Sequence, residues 1–257
     1  MQEHTAPTTQ DSEQSQHMED PPNTADPLAR LDAEEREPAT TRQRLQQQLD
    51  GLDGRLVALM RELGGRVEPA TSAFLEADVH TATSLEQADV AMTHRCTELE
   101  EAGYLLLATQ SPVATDLRRA IAVLRSVNDV QRSGNLLTHV VESLAWVHPP
   151  SLPTELRDTI RQLGDVSAEM FGSAADAWER RDALAAQDLE RRDDQVDLLQ
   201  KELLSDLYTG VQSIEESVTL GLIARYYERI ADHAVELTRH LVFFLTGDRL
   251  VDRDDTN

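Results

Sequence analysis

A chain of 257 residues is long enough to bury a substantial core, and its formal net charge of −23 sets it apart from proteins that bind polyanions. Nucleic acid and anionic membrane surfaces need clustered Lys and Arg, so both are excluded as partners by charge. Aromatic residues make up only 4% of a chain rich in Leu, Ala, Glu, Arg and Gln, which favours long helices over sheets.

The first residues, MQEHTAPTTQDSEQSQ, have no basic segment followed by an apolar one, so no signal peptide is expected. No apolar run approaches a membrane span, and direct membrane insertion is not expected. The single cysteine, Cys96, allows no intrachain disulfide and suits a reducing, cytoplasmic location. It reads as a small buried hydrophobe.

Residues 1–40 carry ten Asp and Glu against two Arg and almost no large apolar side chains. Such a segment cannot bury enough surface to offset its ordering, so a disordered acidic tail is expected. From Arg42 helical spacing is continuous. The first helix is predicted to run through RLVALMRELGGRVEPATSAFLEAD, with a kink or short break at Gly64, Gly65 and Pro69. A second helix follows over TATSLEQADVAMTHRCTELEEAGYLLLATQ. Ser111-Pro112 ends it and starts the third, PVATDLRRAIAVLRSVNDVQRSGNLLTHVVESLAWV.

His-Pro-Pro-Ser-Leu-Pro at 148–153 is the clearest internal boundary. Three more helices are predicted after it, the last ending at Gly247, a suitable left-handed cap. The polar run 249–257 is a second tail. Two halves of similar length, 42–148 and 153–248, read as an all-α internal duplication of a three-helix bundle.

The final helix shows bundle periodicity best. Leu220, Ala224, Tyr227, Ala231, Ala234, Thr238, Leu241 and Leu245 alternate by four and three. Glu228 and Asp232 each follow a ladder residue, one turn apart at the edge of the packed face. One reading is a solvated edge neutralised by Arg225 and Arg229. The preceding helix offers a second reading. It carries Asp193 and Asp197, also one turn apart, and Asp193 falls on or beside its own apolar stripe. Two such pairs on adjacent antiparallel helices could form an oxygen cage that is sensible only around a cation. Oxygen ligands suit Mg, Mn or Fe.

The runs SPVATDLRRAIAVLRSVNDVQR and ARYYERIADHAVELTRHLVFFLTGD resemble the two hallmark segments of the PhoU family, regulators of phosphate uptake, and the second resembles its actinobacterial PhoY-type members. The resemblance spans about residues 42–248. It implies two tandem three-helix bundles and multinuclear Fe or Zn clusters held by E(D)-x-x-x-D motifs, here Asp193, Asp197, Glu228 and Asp232. The first repeat departs from the motif: Gln131 and Asn135 stand for the expected acids, and on the partner helix Asp89 is kept while Thr93 replaces the second acid. That first site is expected to be lost or weak. Asp116 and Arg118 also match the family pattern, and with Arg225 they are candidates for structural or partner contacts.

The resemblance further implies a non-enzymatic negative regulator of phosphate uptake and of the phosphate-starvation two-component response. Its partners would be the ATPase subunit of the phosphate ABC transporter and the phosphate sensor histidine kinase, with a homodimer left open. Two alternatives stand beside it: a carboxylate-bridged bundle metalloenzyme, and a plain helical scaffold without metal. No Glu-x-x-His pair, Gly-rich phosphate loop or hydrolase elbow is present to support catalysis. Of the helical histidines, His94, His139, His233 and His240, only His233 is placed to act as a secondary ligand.

Overall fold

The computed structural model describes the backbone of residues 27–248 and the side chains of residues 41–248. It divides into two units, residues 1–43 and 44–257. Among the described residues six helices occur in chain order: α1 (Pro27–Glu76), α2 (Val79–Gln110), α3 (Ala114–Glu142), α4 (Thr154–Arg180), α5 (Ala185–Thr209) and α6 (Ile214–Thr246). Two short 3₁₀ turns, Ser143–Ala145 and Pro149–Ser151, carry the joint between α3 and α4.

Two expectations are corrected. The helix begins at Pro27 rather than near Arg42, so the backbone of residues 27–40 is helical where a disordered tail was expected. LARLDAEER is made largely of strong helix formers, and low apolar content does not oppose helix propensity. The rest of that tail and the second tail lie outside the described residues. Nor is there a break at Gly64, Gly65 or Pro69, because α1 is continuous through them. Tertiary packing outweighs the local penalty here: a Cβ on Gly64 would stand 3.1 Å from Cβ of Phe171, so the glycine lets α4 pack close against α1.

The turns are made by identifiable chemistry. Ala77 takes a left-handed φ of 56° after α1, and Asp78 then caps α2 by accepting from the His80 and Thr81 amides, each at 3.1 Å. α6 opens with a capping box: Ser213 Oγ accepts from the Glu216 amide at 3.1 Å, and Glu216 accepts from the Ser213 amide at 2.9 Å. It closes at Gly247, whose φ is 87°.

α2 packs on α3, α4 and α5 pack on α6, and α3 and α6 pack on each other. The two repeats therefore share one apolar core, with buried residues from all six helices. Every member of the α6 ladder is buried except Leu245, which is partly so. Two buried polar contacts fix the register of this core. Thr71 and Tyr227 share a hydroxyl hydrogen bond of 2.7 Å, and Trp178 Nε1 donates to the Leu237 carbonyl at 2.9 Å. Cys96 is 1% exposed and burial pushes its thiol up to about 11, which suits a packing residue rather than a nucleophile.

Helix α4 crosses α1 at Gly164. A Cβ there would meet Thr71 Oγ1 at 2.3 Å and Thr71 Cβ at 3.0 Å. Gly164→Ala should therefore lower stability by about 1–3 kcal/mol despite the better helix propensity of Ala, as a fall in urea midpoint will show.

Candidate metal centre and its first-repeat counterpart

Three of the four acids singled out in the sequence line one cavity at the α5–α6 seam. Asp193 and Asp197 on α5 and Asp232 on α6 line a cavity of about 480 Å³ together with Glu190, Asp194 and Glu236. Arg229, Arg239 and His233 complete its polar wall. Glu228 lies one turn before Asp232, buried beside the cavity rather than on its wall. Its Oε1 pairs with Arg225, and its Oε2 is buried with no hydrogen-bond partner. Asp197 has Lys201 at 3.8 Å.

The crowding is visible in the acidities. Burial, then Asp232, Asp197 and Glu228, push Asp193 up to about 7. Burial and Asp232 also raise Glu228, against the opposing charge of Arg225. Burial raises Asp232, again with Arg225 opposing. Among the described residues, no three or more His, Cys, Asp or Glu side chains are gathered at metal-ligand spacing. Mutual repulsion of carboxylates favours that separation. The donor set nevertheless suits a cation, since it is oxygen-rich, burial raises Asp193, Glu228 and Asp232, and the set includes the orphaned buried Oε2 of Glu228.

His233 brings a feature that helical spacing alone did not reveal. It is 8% exposed and lines the cavity, its Nδ1 lies 3.2 Å from Oδ1 of Asp129 on α3, and its Nε2 is buried without a partner. The other oxygen of Asp129 lies 3.0 Å from Nε2 of His240. Asp129 thus spans the two repeats. The two histidines hold its carboxyl below the usual range in spite of burial. A carboxylate on Nδ1 favours the tautomer that leaves Nε2 as an acceptor.

The first-repeat counterpart is built differently. Asp89 is buried against α3, where a Cβ on Gly134 would meet its Oδ1 at 2.6 Å. Thr93 and Gln131 are partly buried and Asn135 is exposed. The cation beside Asp89 comes from α1: Arg66 Nη1 lies 3.6 Å from Asp89 Oδ1, and Nη2 donates to the Leu85 carbonyl at 2.8 Å. Burial raises Asp89 while Arg66 opposes the rise. Arg66→Met should leave Asp89 to take up a proton. Since its folded pKa would then rise further above the unfolded value, the variant should match the parent most nearly near pH 4. Stability should then fall as pH climbs to 8, by about 2–3 kcal/mol in a denaturation series.

The remaining candidates make contacts within the chain. Asp116 in the first turn of α3 accepts from Gln46 Nε2 at 3.0 Å. Arg118 donates to the Phe244 carbonyl at 3.4 Å, at the C-terminal end of α6. Arg225 is exposed apart from its pairing with Glu228.

Two repeats of three helices, fused along α3 and α6, with an acidic seam in the second repeat, define a duplicated all-helical bundle. The PhoU domain model matches residues 57–144 and again 160–240, and the chain belongs to the PhoU family. The phosphate-specific transport system accessory protein PhoU homolog 1 of Mycobacterium leprae is 33% identical over 213 residues, covering 82% of this chain and 95% of that protein. Homolog 2 of Mycobacterium tuberculosis is 33% identical over 204 residues, covering 78% and 96%. The crystal structure of PhoU from Pseudomonas aeruginosa superposes with a TM-score of 0.73 at 25% identity, covering 79% of this chain and 99% of that one. The phosphate transport system regulatory protein PhoU from Streptococcus pneumoniae gives 0.74 at 21% identity, covering 81% and 100%. These names describe accessory and regulatory proteins, not enzymes. Among the described residues no helix is long and apolar enough to cross a membrane.

Proposed function

We propose that the chain is a negative regulator of phosphate uptake and of the phosphate-starvation response, acting through contact with the ATPase subunit of the phosphate ABC transporter and the phosphate sensor histidine kinase. The observation that carries this is membership of the PhoU family over both repeats, with relatives named as phosphate-transport accessory proteins over nearly their whole length. Deleting the gene should raise alkaline phosphatase output in ample phosphate, and wild-type protein should restore repression. Output that stays repressed, with no second family member in the strain, removes the regulator reading.

Within that role, Asp193, Asp197, Glu228 and Asp232 would hold Fe or Zn, with Mg or Mn also admitted by an oxygen-rich set. A bound cation would supply positive charge that lets the four carboxylates ionise together, joining α5 to α6. His233 Nε2, buried without a partner, would add a nitrogen ligand, with Asp129 orienting its ring through Nδ1. Asp193→Ala with Glu228→Ala should remove bound metal, whereas changing Gln131 should leave it, as elemental analysis of the purified proteins will show. Unchanged stoichiometry in the double variant assigns the metal elsewhere.

A further inference from the structure

The hairpin joining α5 to α6 keeps its apolar side chains outside the core. Tyr208, Val211 and Ile214 are 90%, 96% and 85% exposed, and Val218 and Leu222 are 58% and 48% exposed. Ile214, Val218 and Leu222 recur every four residues, so they form a stripe along one side of the opening turns of α6. Leu204 and Tyr208 repeat the spacing at the end of α5. The two stripes adjoin, since a Cβ on Gly221 would lie 3.6 Å from Leu204 Cδ2. Single exposed apolar residues are ordinary, but a contiguous set on two helices is a contact surface.

The hairpin's own charges are of one sign. Between Lys201 and Arg225 the sequence has no Lys or Arg but four acids, Glu202, Asp206, Glu215 and Glu216. The first three are exposed, and Glu216 closes the capping box. A second copy would bring two acidic rims together, and an anionic lipid surface would be repelled in the same way. An apolar stripe inside an acidic rim instead complements a helix with apolar residues on one face and Lys or Arg beside them.

We propose that the α5–α6 hairpin docks a basic amphipathic helix of a partner protein. This rests on the reading of the chain as an accessory protein that works by contact, and it names the surface used. Its test reads binding by the purified full chain, so it can fail while repression in cells is unaffected, and the converse also holds.

The probe is a fluorescein-labelled helical peptide of about five turns, with Leu on one face and Lys and Arg on the other. A matched peptide carries Glu in place of the cations. Fluorescence anisotropy should show saturable binding of the basic peptide that weakens with salt. Ile214→Glu and Val218→Glu should each weaken it about tenfold, and Glu215→Lys about threefold, with helical circular dichroism unchanged. Leu105→Glu, an exposed apolar position on α2, should leave it unaltered. Equal binding by the hairpin variants would reduce the effect to general attraction by an acidic protein and overturn the proposal. Equal binding by the Glu-faced peptide would overturn the basic character. A concentration-dependent dimer in light scattering that Ile214→Glu abolishes, without saturable peptide binding, would assign the face to a second copy and overturn it too.

Discussion

Asp53→Ala should be among the most damaging single substitutions, costing about 3–5 kcal/mol and lowering the melting temperature by roughly 10 °C. Asp53 is 7% exposed on α1. Its Oδ2 accepts from Arg119 Nε at 2.9 Å and Nη2 at 2.8 Å, and it also pairs with Arg181. Both guanidinium groups stand over the Phe244 ring, at 5.9 Å for Arg119 and 4.8 Å for Arg181. One carboxylate thus ties α1 to α3, to the end of α4 and, through Phe244, to α6. Removing it leaves a buried Arg119 with only the exposed Asp50 as an acidic partner. A companion variant tests the cause. Asp53→Leu with Arg119→Met removes both charges and should lose less than Asp53→Ala alone, since the main penalty is the unpaired cation. An equal or larger loss in the double variant would place the effect in packing.

Asp193→Asn should do the opposite in metal-free protein. Asp193 titrates near 7 in the fold, well above an unfolded Asp. The native state therefore binds more protons than the unfolded chain between about pH 4 and pH 7, and stability falls as pH rises through that window. Asn carries no charge to lose. With chelator present, the variant should equal the parent near pH 4 and exceed it at pH 8 by on the order of 2 kcal/mol, a figure already discounted for solvent screening at a partly exposed site. Adding metal should invert the ranking. Parent protein gains stability with the logarithm of free metal, and the variant loses most of that gain. Melting curves at pH 5 and pH 8, with EDTA and then with zinc, iron or manganese, measure both arms. A parent indifferent to every metal at pH 8 would leave the acidic seam without a ligand.

Local pattern carried much of this into view. The four-and-three ladder of α6 named its buried face, and the position of Asp193 beside the α5 stripe marked it as an acid in an unfavourable place. Ser111-Pro112 and Gly247 ended helices where they were expected to. What stayed hidden depends on residues far apart in the chain. Arg66 beside Asp89, Asp53 beside Arg119 and Arg181, and Asp129 between His233 and His240 are partnerships that no helical period encodes. The start of α1 was missed for another reason. Apolar content and helix propensity point in different directions over residues 27–40, and the expectation followed the first. Three of the four acids line one cavity, while Glu228 turns one oxygen to Arg225, the neighbour that the solvated-edge reading gives it.

The fusion of α3 to α6 has a consequence for how such a protein can change over time. After most duplications one copy is a spare and can be discarded. Here the two halves share one interior, so the first repeat cannot be discarded even though Gln131 and Asn135 carry no charge and Arg66 accompanies Asp89. A duplicate that supplies half of a shared core is kept as scaffolding. Selection on the acidic seam of the second repeat consequently reaches into the first, through Asp129, and a lineage tuning one half must accommodate the other.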